Sequence, residues 1–153
     1  FKPEIIFSVM NQIIKRSTFD FIGEIFINAH GSYLPKYRGP AQYIFYLANK
    51  DKEFGVTLHF MNEGIDNGNI IMQQNFKFDE YISAYRLHFQ MAQKYAFMFN
   101  KFLDENISLK NIISFKQSES DATYTRMPVA KDIKTLHSNG NSLIKLKDFI
   151  NCV

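Results

Sequence analysis

Short apolar runs separated by polar, glycine-rich stretches set the rhythm of this chain. The run Ile5-Ile6-Phe7-Ser8-Val9 is apolar and rich in β-formers, which predicts a strand buried on both faces of a parallel sheet. A helical turn or two can follow it, the pattern over 13–19 is mixed, and Phe21-Ile22-Gly23 reads as a turn. A second buried strand is then expected over Glu24-Ile25-Phe26-Ile27-Asn28. Two such strands joined by a connector imply an α/β layer. Residues 30–40 hold Gly31, Pro35, Gly39 and Pro40, too much punctuation for regular structure, so a long loop is predicted. Pro40 suits the first turn of a helix over 41–49, whose Ile44, Phe45, Leu47 and Ala48 fit one face.

Further along, 55–61 and 69–78 read as two strands of a hairpin-like unit, with the turn-rich Asn62-Glu63-Gly64-Ile65-Asp66-Asn67-Gly68 as a long tip. The longest periodic segment covers 83–106, where Leu87, Met91, Tyr95, Met98 and Phe102 recur at spacings of three and four, the mark of a helix laying one stripe on a core. Beyond Ser108 the text is short and mixed: a polar turn at 117–121, an extended stretch at 122–126, a helix at 132–137 after Pro128, a turn at 138–141 and a last amphipathic piece at 143–150. No repeat or linker divides the chain. The expected organisation is a core over 1–107 and a divergent extension over 108–153, packed on or beside it.

The 153 residues suffice for one domain, and an apolar share of 46% argues against disorder. Eighteen basic and fifteen acidic residues leave a net charge of +3, with no block of like charges to mark a nucleic-acid arm or an anionic-membrane patch. Cys152 is the single cysteine and cannot form an internal disulfide, which suits a reducing compartment. No apolar run reaches the roughly 18–20 residues of a spanning helix, and no secretory leader opens the chain. The expectation is a cytoplasmic protein with no membrane partner.

Chemistry in open α/β sheets gathers at the carboxyl ends of the strands. Asn28 and His30 stand there two positions apart, so extended backbone puts an amide donor and an imidazole on the same side of the sheet. The loop that follows offers Ser32, Tyr33, Lys36, Tyr37 and Arg38, a dense set of side chains able to bind phosphate or hydroxyl groups. Asp66 is bracketed by Gly64 and Gly68, whose backbone freedom lets a carboxylate approach another loop. Each feature alone also fits a solvated turn or a core histidine. Together, an amide, an imidazole and a carboxylate are the parts for moving an acyl group onto an amine.

At this point the text becomes recognisable. Asn28-Ala29-His30-Gly31-Ser32-Tyr33-Leu34-Pro35-Lys36-Tyr37-Arg38-Gly39 resembles the signature N-x-H-x-S-L-L-P-x-Y-R-G of the folate-dependent formyltransferase family, and residues 55–68 resemble its second motif, G-V-T-x-H-x-(x)-x-E-G-x-D-x-G. The resemblance runs from about Pro3 to Asn106; Tyr33 replaces the usual Leu, and Asn67 stands where Thr is common. It implies a Rossmann-like α/β fold, a mostly parallel sheet with flanking helices, here without the family's first βαβ portion, which would lie upstream of Phe1. It implies Asn28, His30 and Asp66 as catalytic residues, 10-formyltetrahydrofolate as the formyl donor, no metal, and a folate pocket lined by Ser8, Val9, Met10, Met61, Asn62, Glu63, Gly64 and Ile65. It implies an acceptor bound by Ser32, Tyr33, Lys36, Tyr37 and Arg38. The His30-Gly31-Ser32 form of the motif is most similar to the branch acting on nucleotide-linked amino sugars. Only about forty-five residues follow the last clear motif, too few for the nucleic-acid-binding domain of the transfer-RNA branch. A non-catalytic formyltransferase-like module and a methionyl-tRNA enzyme stand as the alternatives. The apolar stretch after Leu143 leaves a homodimer open.

Overall fold

The computed structural model describes residues 3–9, 14, 15, 17, 25–105 and 111–145. Met10, the turn expected at 21–23 and most of the last amphipathic piece lie outside them. The described elements are β1 Ile5–Ser8, β2 Ile25–His30, α1 Gln42–Ala48, β3 Glu53–Phe60, β4 Ile70–Lys77, α2 Ala84–Glu105, a 3-10 turn Glu119–Asp121 and α3 Ala130–Ser138.

The strands lie side by side in the order β1-β2-β3-β4. The expected α/β layering is present, but the described sheet is mixed rather than mostly parallel: β1 and β2 run parallel, whereas β2–β3 and β3–β4 are antiparallel. A parallel pairing requires the connection to travel the full length of the sheet. Here the loop after β2 folds back onto β3 instead, with Leu34 N donating to Thr57 Oγ1 at 3.1 Å and Thr57 Oγ1 donating to Ser32 O at 2.6 Å. The chain therefore enters β3 from the end where β2 stopped.

Alternation divides the sheet into two chemical faces. Ile27 and Ala29 of β2 and Phe54, Val56 and Leu58 of β3 are buried in one apolar cluster with Leu87, Met91, Met98 and Phe102 of α2. Burying each of these large side chains is worth about 1.5–3 kcal/mol, which is what seats α2 on the sheet. The buried positions of α2 are Ala84, Leu87, Met91, Tyr95, Met98 and Phe102, so the stripe expected from periodicity is the one that packs. The opposite face is polar. Pairing register sets Ser8, Asn28 and His59 in one row across β1, β2 and β3, and His30, Thr57 and Gln73 in the next row across β2, β3 and β4. A register shift at Leu58/His59 bends β3 where that first row ends.

Asn139, just past α3, donates through Nδ2 to the carbonyls of Leu47 and Ala48 at 3.1 and 2.8 Å, satisfying the open end of α1. The segment 115–125 is tied to the sheet and to the loop after β2. Phe115 and Ile70 exchange both backbone hydrogen bonds, and Tyr124 bridges in parallel to Arg38. Among the described residues no helix is long and apolar enough to cross a membrane.

Candidate active site

Asn28 and His30 occupy the carboxyl end of β2 and are 2% and 4% exposed, both on the polar face. His30 is held from two sides. Its Nε2–H donates to the Tyr37 carbonyl at 2.9 Å, and its Nδ1 faces Asp66 Oδ2 at 3.4 Å. Gln42, at the start of α1, brings its amide nitrogen to 3.5 Å from the same Nδ1 and also donates to the Gly39 carbonyl. A proton on Nδ1 thus meets a carboxylate, and an unprotonated Nδ1 has an amide donor beside it.

Asp66 reaches His30 because the tip between β3 and β4 folds back on the strand. Its φ of 48° is left-handed, a conformation that Asp tolerates better than most residues. A Cβ on Gly68 would lie 1.8 Å from Phe60 O, so only glycine lets the tip approach that closely. The carboxylate then accepts the Gly39 backbone N–H on Oδ2 at 2.9 Å. Burial on its own would push the Asp66 carboxyl up. The His59 contact, the charge of His30 and the Gly39 N–H together outweigh it and hold the group below the usual carboxylate value. For His30, burial dominates and lowers the imidazole below its ordinary value, against the opposing pull of Asp66 and the Tyr37 carbonyl.

His59 belongs to the same constellation and was missed by the sequence reading, although it stands inside the second motif. Its Nδ1 lies 2.9 Å from Phe60 O, and its Nε2 lies 3.4 Å from Asn28 Nδ2 and 3.6 Å from Asp66 Oδ1, so a proton on Nε2 meets the carboxylate and an unprotonated Nε2 meets the amide donor. The usable signal was its place opposite Asn28 on the neighbouring strand.

Of the residues expected at the acceptor, Tyr37 meets His30 through its backbone carbonyl, while the side chains of Ser32 and Arg38 are engaged within the chain. Ser32 is fully buried, and its hydroxyl donates to Lys36 O at 2.6 Å, shaping the loop. Arg38 is fully buried as well. Its Nε and Nη2 donate to Gln117 Oε1, its Nη1 and Nη2 to the two Glu119 carboxylate oxygens, and its Nη1 to the Tyr124 hydroxyl, so all five donors are spent within the chain. In this structure the side chains of Ser32 and Arg38 thus build the loop. Tyr37 donates its hydroxyl to Asp51 at 2.6 Å; burial, with that carboxylate, pushes the phenol up to about 12. Tyr33, Lys36 and Tyr37 line a cavity of about 840 Å³, while His30 lines another of about 490 Å³ with Val9, Gln42, Tyr43, His88 and Tyr95, and the two share no lining residue.

Of the residues expected at the folate, Val9 opens onto the His30 cavity and Ser8 stands in register with Asn28. Met61 N donates to Phe26 O at 2.9 Å, fixing the base of the tip to β2, and Gly64 N donates to Asn62 Oδ1 at 3.0 Å within it. Asn62, Glu63, Gly64 and Ile65 form the exposed side of that tip. Among the described residues no group of three or more His, Cys, Asp or Glu side chains is placed to hold a metal ion.

Comparison with known proteins bears on the family. The family model described as formyl transferase matches residues 1–99. The methionyl-tRNA formyltransferase of Syntrophomonas wolfei subsp. wolfei is 35% identical over 124 residues, which are 80% of this chain and 40% of that protein. Among solved structures, WlaRD, a sugar 3N-formyl transferase crystallised in the presence of dTDP and 5-N-formyl-THF, superposes with a TM-score of 0.68 at 34% identity over 79% of this chain and 43% of its own. The N-formyltransferase from Helicobacter canadensis, in complex with folinic acid and dTDP-3-aminofucose, does so with a TM-score of 0.72 at 27% identity over 94% of this chain and 55% of its own. The chain thus spans about half, or less, of the length of these relatives. With a family model that matches residues 1–99, this chain belongs to the formyl transferase family.

Proposed function

We propose that the chain transfers a formyl group from 10-formyltetrahydrofolate to an amine, and that the amine is carried by a nucleotide-linked sugar. The observation that supports it most is the 3.4 Å approach of the Asp66 carboxylate to His30 Nδ1, across thirty-six positions of sequence, on the face that also carries Asn28. In this reading the residues of 1–107 supply the chemical groups and 108–153 serve as an extension packed on them.

The residues present fit the donor. Ser8 is 6% exposed at the end of β1, and its hydroxyl has no hydrogen-bond partner among the described residues, which suits a polar heterocycle lying against the row Ser8, Asn28, His59. Ser8, Val9 and the 61–65 tip would hold it, and the donor supplies the formyl carbon. Asn28 Nδ2 and a hydrogen-donating His30 stabilise the oxyanion that develops there as the C–N bond to the acceptor forms. Asp66 orients the imidazole and carries the acceptor's proton toward the folate nitrogen as the old C–N bond breaks. A single cysteine in the whole chain suits a cytoplasmic setting for this reaction.

Sugar N-formyltransferase structures at 34% and 27% identity favour the sugar acceptor; the 35% match to a methionyl-tRNA formyltransferase supports transfer RNA as the second reading. The test is to incubate the chain with 10-formyltetrahydrofolate and, in parallel, a dTDP-linked 3-amino sugar, a UDP-linked 4-amino sugar and methionyl-tRNA, following release of tetrahydrofolate. Turnover with an amino sugar is expected. Turnover with methionyl-tRNA alone reverses the choice of acceptor, and none with any of the three removes the proposal.

A further inference from the structure

Gln117 lies in the polar stretch after α2, far in sequence from either motif, yet it is 5% exposed and uses both ends of its amide. Its Oε1 accepts from Arg38 Nε at 3.1 Å and Arg38 Nη2 at 2.8 Å. Its Nε2 donates to the carbonyls of Asp66 at 2.9 Å and Gly68 at 2.8 Å. The chemistry allows one orientation: a guanidinium only donates and a carbonyl only accepts, so the oxygen must face Arg38 and the nitrogen the tip.

The far side of this link is firmly anchored. Arg38 pairs with both carboxylate oxygens of Glu119, and its backbone is gripped by Thr123 O at 2.8 Å and Thr125 N at 2.6 Å. The near side is the backbone of Asp66 itself, which sits at a φ that L residues adopt reluctantly. Two hydrogen bonds therefore clamp the residues whose conformation decides where the carboxylate points.

We propose that Gln117 is a positioning residue that holds the Asp66 carboxylate against His30 and His59. Its consequence for catalysis rests on the formyl-transfer reading above; the positioning itself does not. Without the amide the tip relaxes away from Gly39, His30 and His59, and the carboxyl loses the contacts that keep it ionised.

The experiment uses the neutral, near-isosteric Gln117→Met, which removes both amide bonds to the tip without adding charge. The Asp66 carboxyl is titrated by carbon-detected NMR, assigned with Asp66→Asn, and kcat and KM are measured alongside. The expected result is a carboxyl titrating higher than in the parent by roughly half a unit or more, and a kcat lower by about 100-fold with KM for the acceptor little changed. A folded variant in which Asp66 titrates as in the parent overturns the proposal, whatever its melting temperature does. If Gln117→Met does not fold, Gln117→Asn, whose amide is one methylene too short to span both partners, is read in the same way. A parent chain without formyl-transfer activity defeats the catalytic reading, and the titration still decides the positioning.

Discussion

Asn28 reaches the site with its carboxamide nitrogen 3.4 Å from His59 Nε2, which fixes where one donor stands. Asn28→Ala is expected to lower kcat by about 100- to 1000-fold, as loss of one oxyanion donor does, with the far-UV circular dichroism unchanged. His30 and Asp66 also leave a thermodynamic trace. Both titrate lower in the fold than in the unfolded chain, so the unfolded chain takes up their protons first. Their stabilisation is whole above the ordinary values of 6.5 and 3.8 and drains as the pH falls through them. The melting temperature should therefore decline from pH 7 toward pH 5, and His30→Gln should flatten that slope; an unchanged slope refutes the assignment to His30. Asn28, His30 and Asp66 could be read from the sequence because they sit at fixed spacing in two motifs. Their partner His59 stands in the second motif as well, but its place beside Asn28 follows from a strand register that a string of letters does not display. The burial of Arg38 was hidden for a similar reason: a charged residue in a polar loop reads as exposed until its three side-chain partners, Gln117, Glu119 and Tyr124, are known.

At the level of elements, periodicity carried the reading furthest. The stripe along α2, the strands around the tip and the helix after Pro40 all lie where alternation and spacing put them, because burial on one face is a local pattern. The hairpin of β3 and β4 was legible from its two strands and turn-rich tip, but strand direction across a longer loop is not local, and the antiparallel pairing of β2 with β3 escaped for that reason. What decides it is the loop folded onto β3, and a glycine makes that fold possible. A Cβ on Gly55 would lie 2.0 Å from Tyr33 N and 2.5 Å from Ser32 C, both backbone atoms that cannot swing aside. Gly55→Ala is expected to destabilise the chain by about 1–3 kcal/mol in urea unfolding. A variant as stable as the parent would show that the loop does not rest on the sheet as described.

For the whole molecule, the segment 115–125 fastens the loop after β2 and the tip before β4, so that two stretches remote in sequence act as one surface. Arg38→Lys keeps the charge but cannot reproduce the paired geometry to Glu119 and Gln117. Hydrogen exchange at the amides of Arg38 and Thr125 should quicken by roughly ten- to a hundredfold, the equivalent of one charge-assisted hydrogen bond, while the amides of α2 keep their protection. Equal acceleration in both places would mean that the segment is no separate fastening. The order of these parts along the chain has a temporal side. On a ribosome Asn28, His30 and Asp66 emerge well before Gln117, and every closure joining them spans dozens of residues, the kind of pairing that forms slowly. The contacts around Asp66 thus stay incomplete until Gln117 has followed, a delay between synthesis and assembly that is written into the order of the chain.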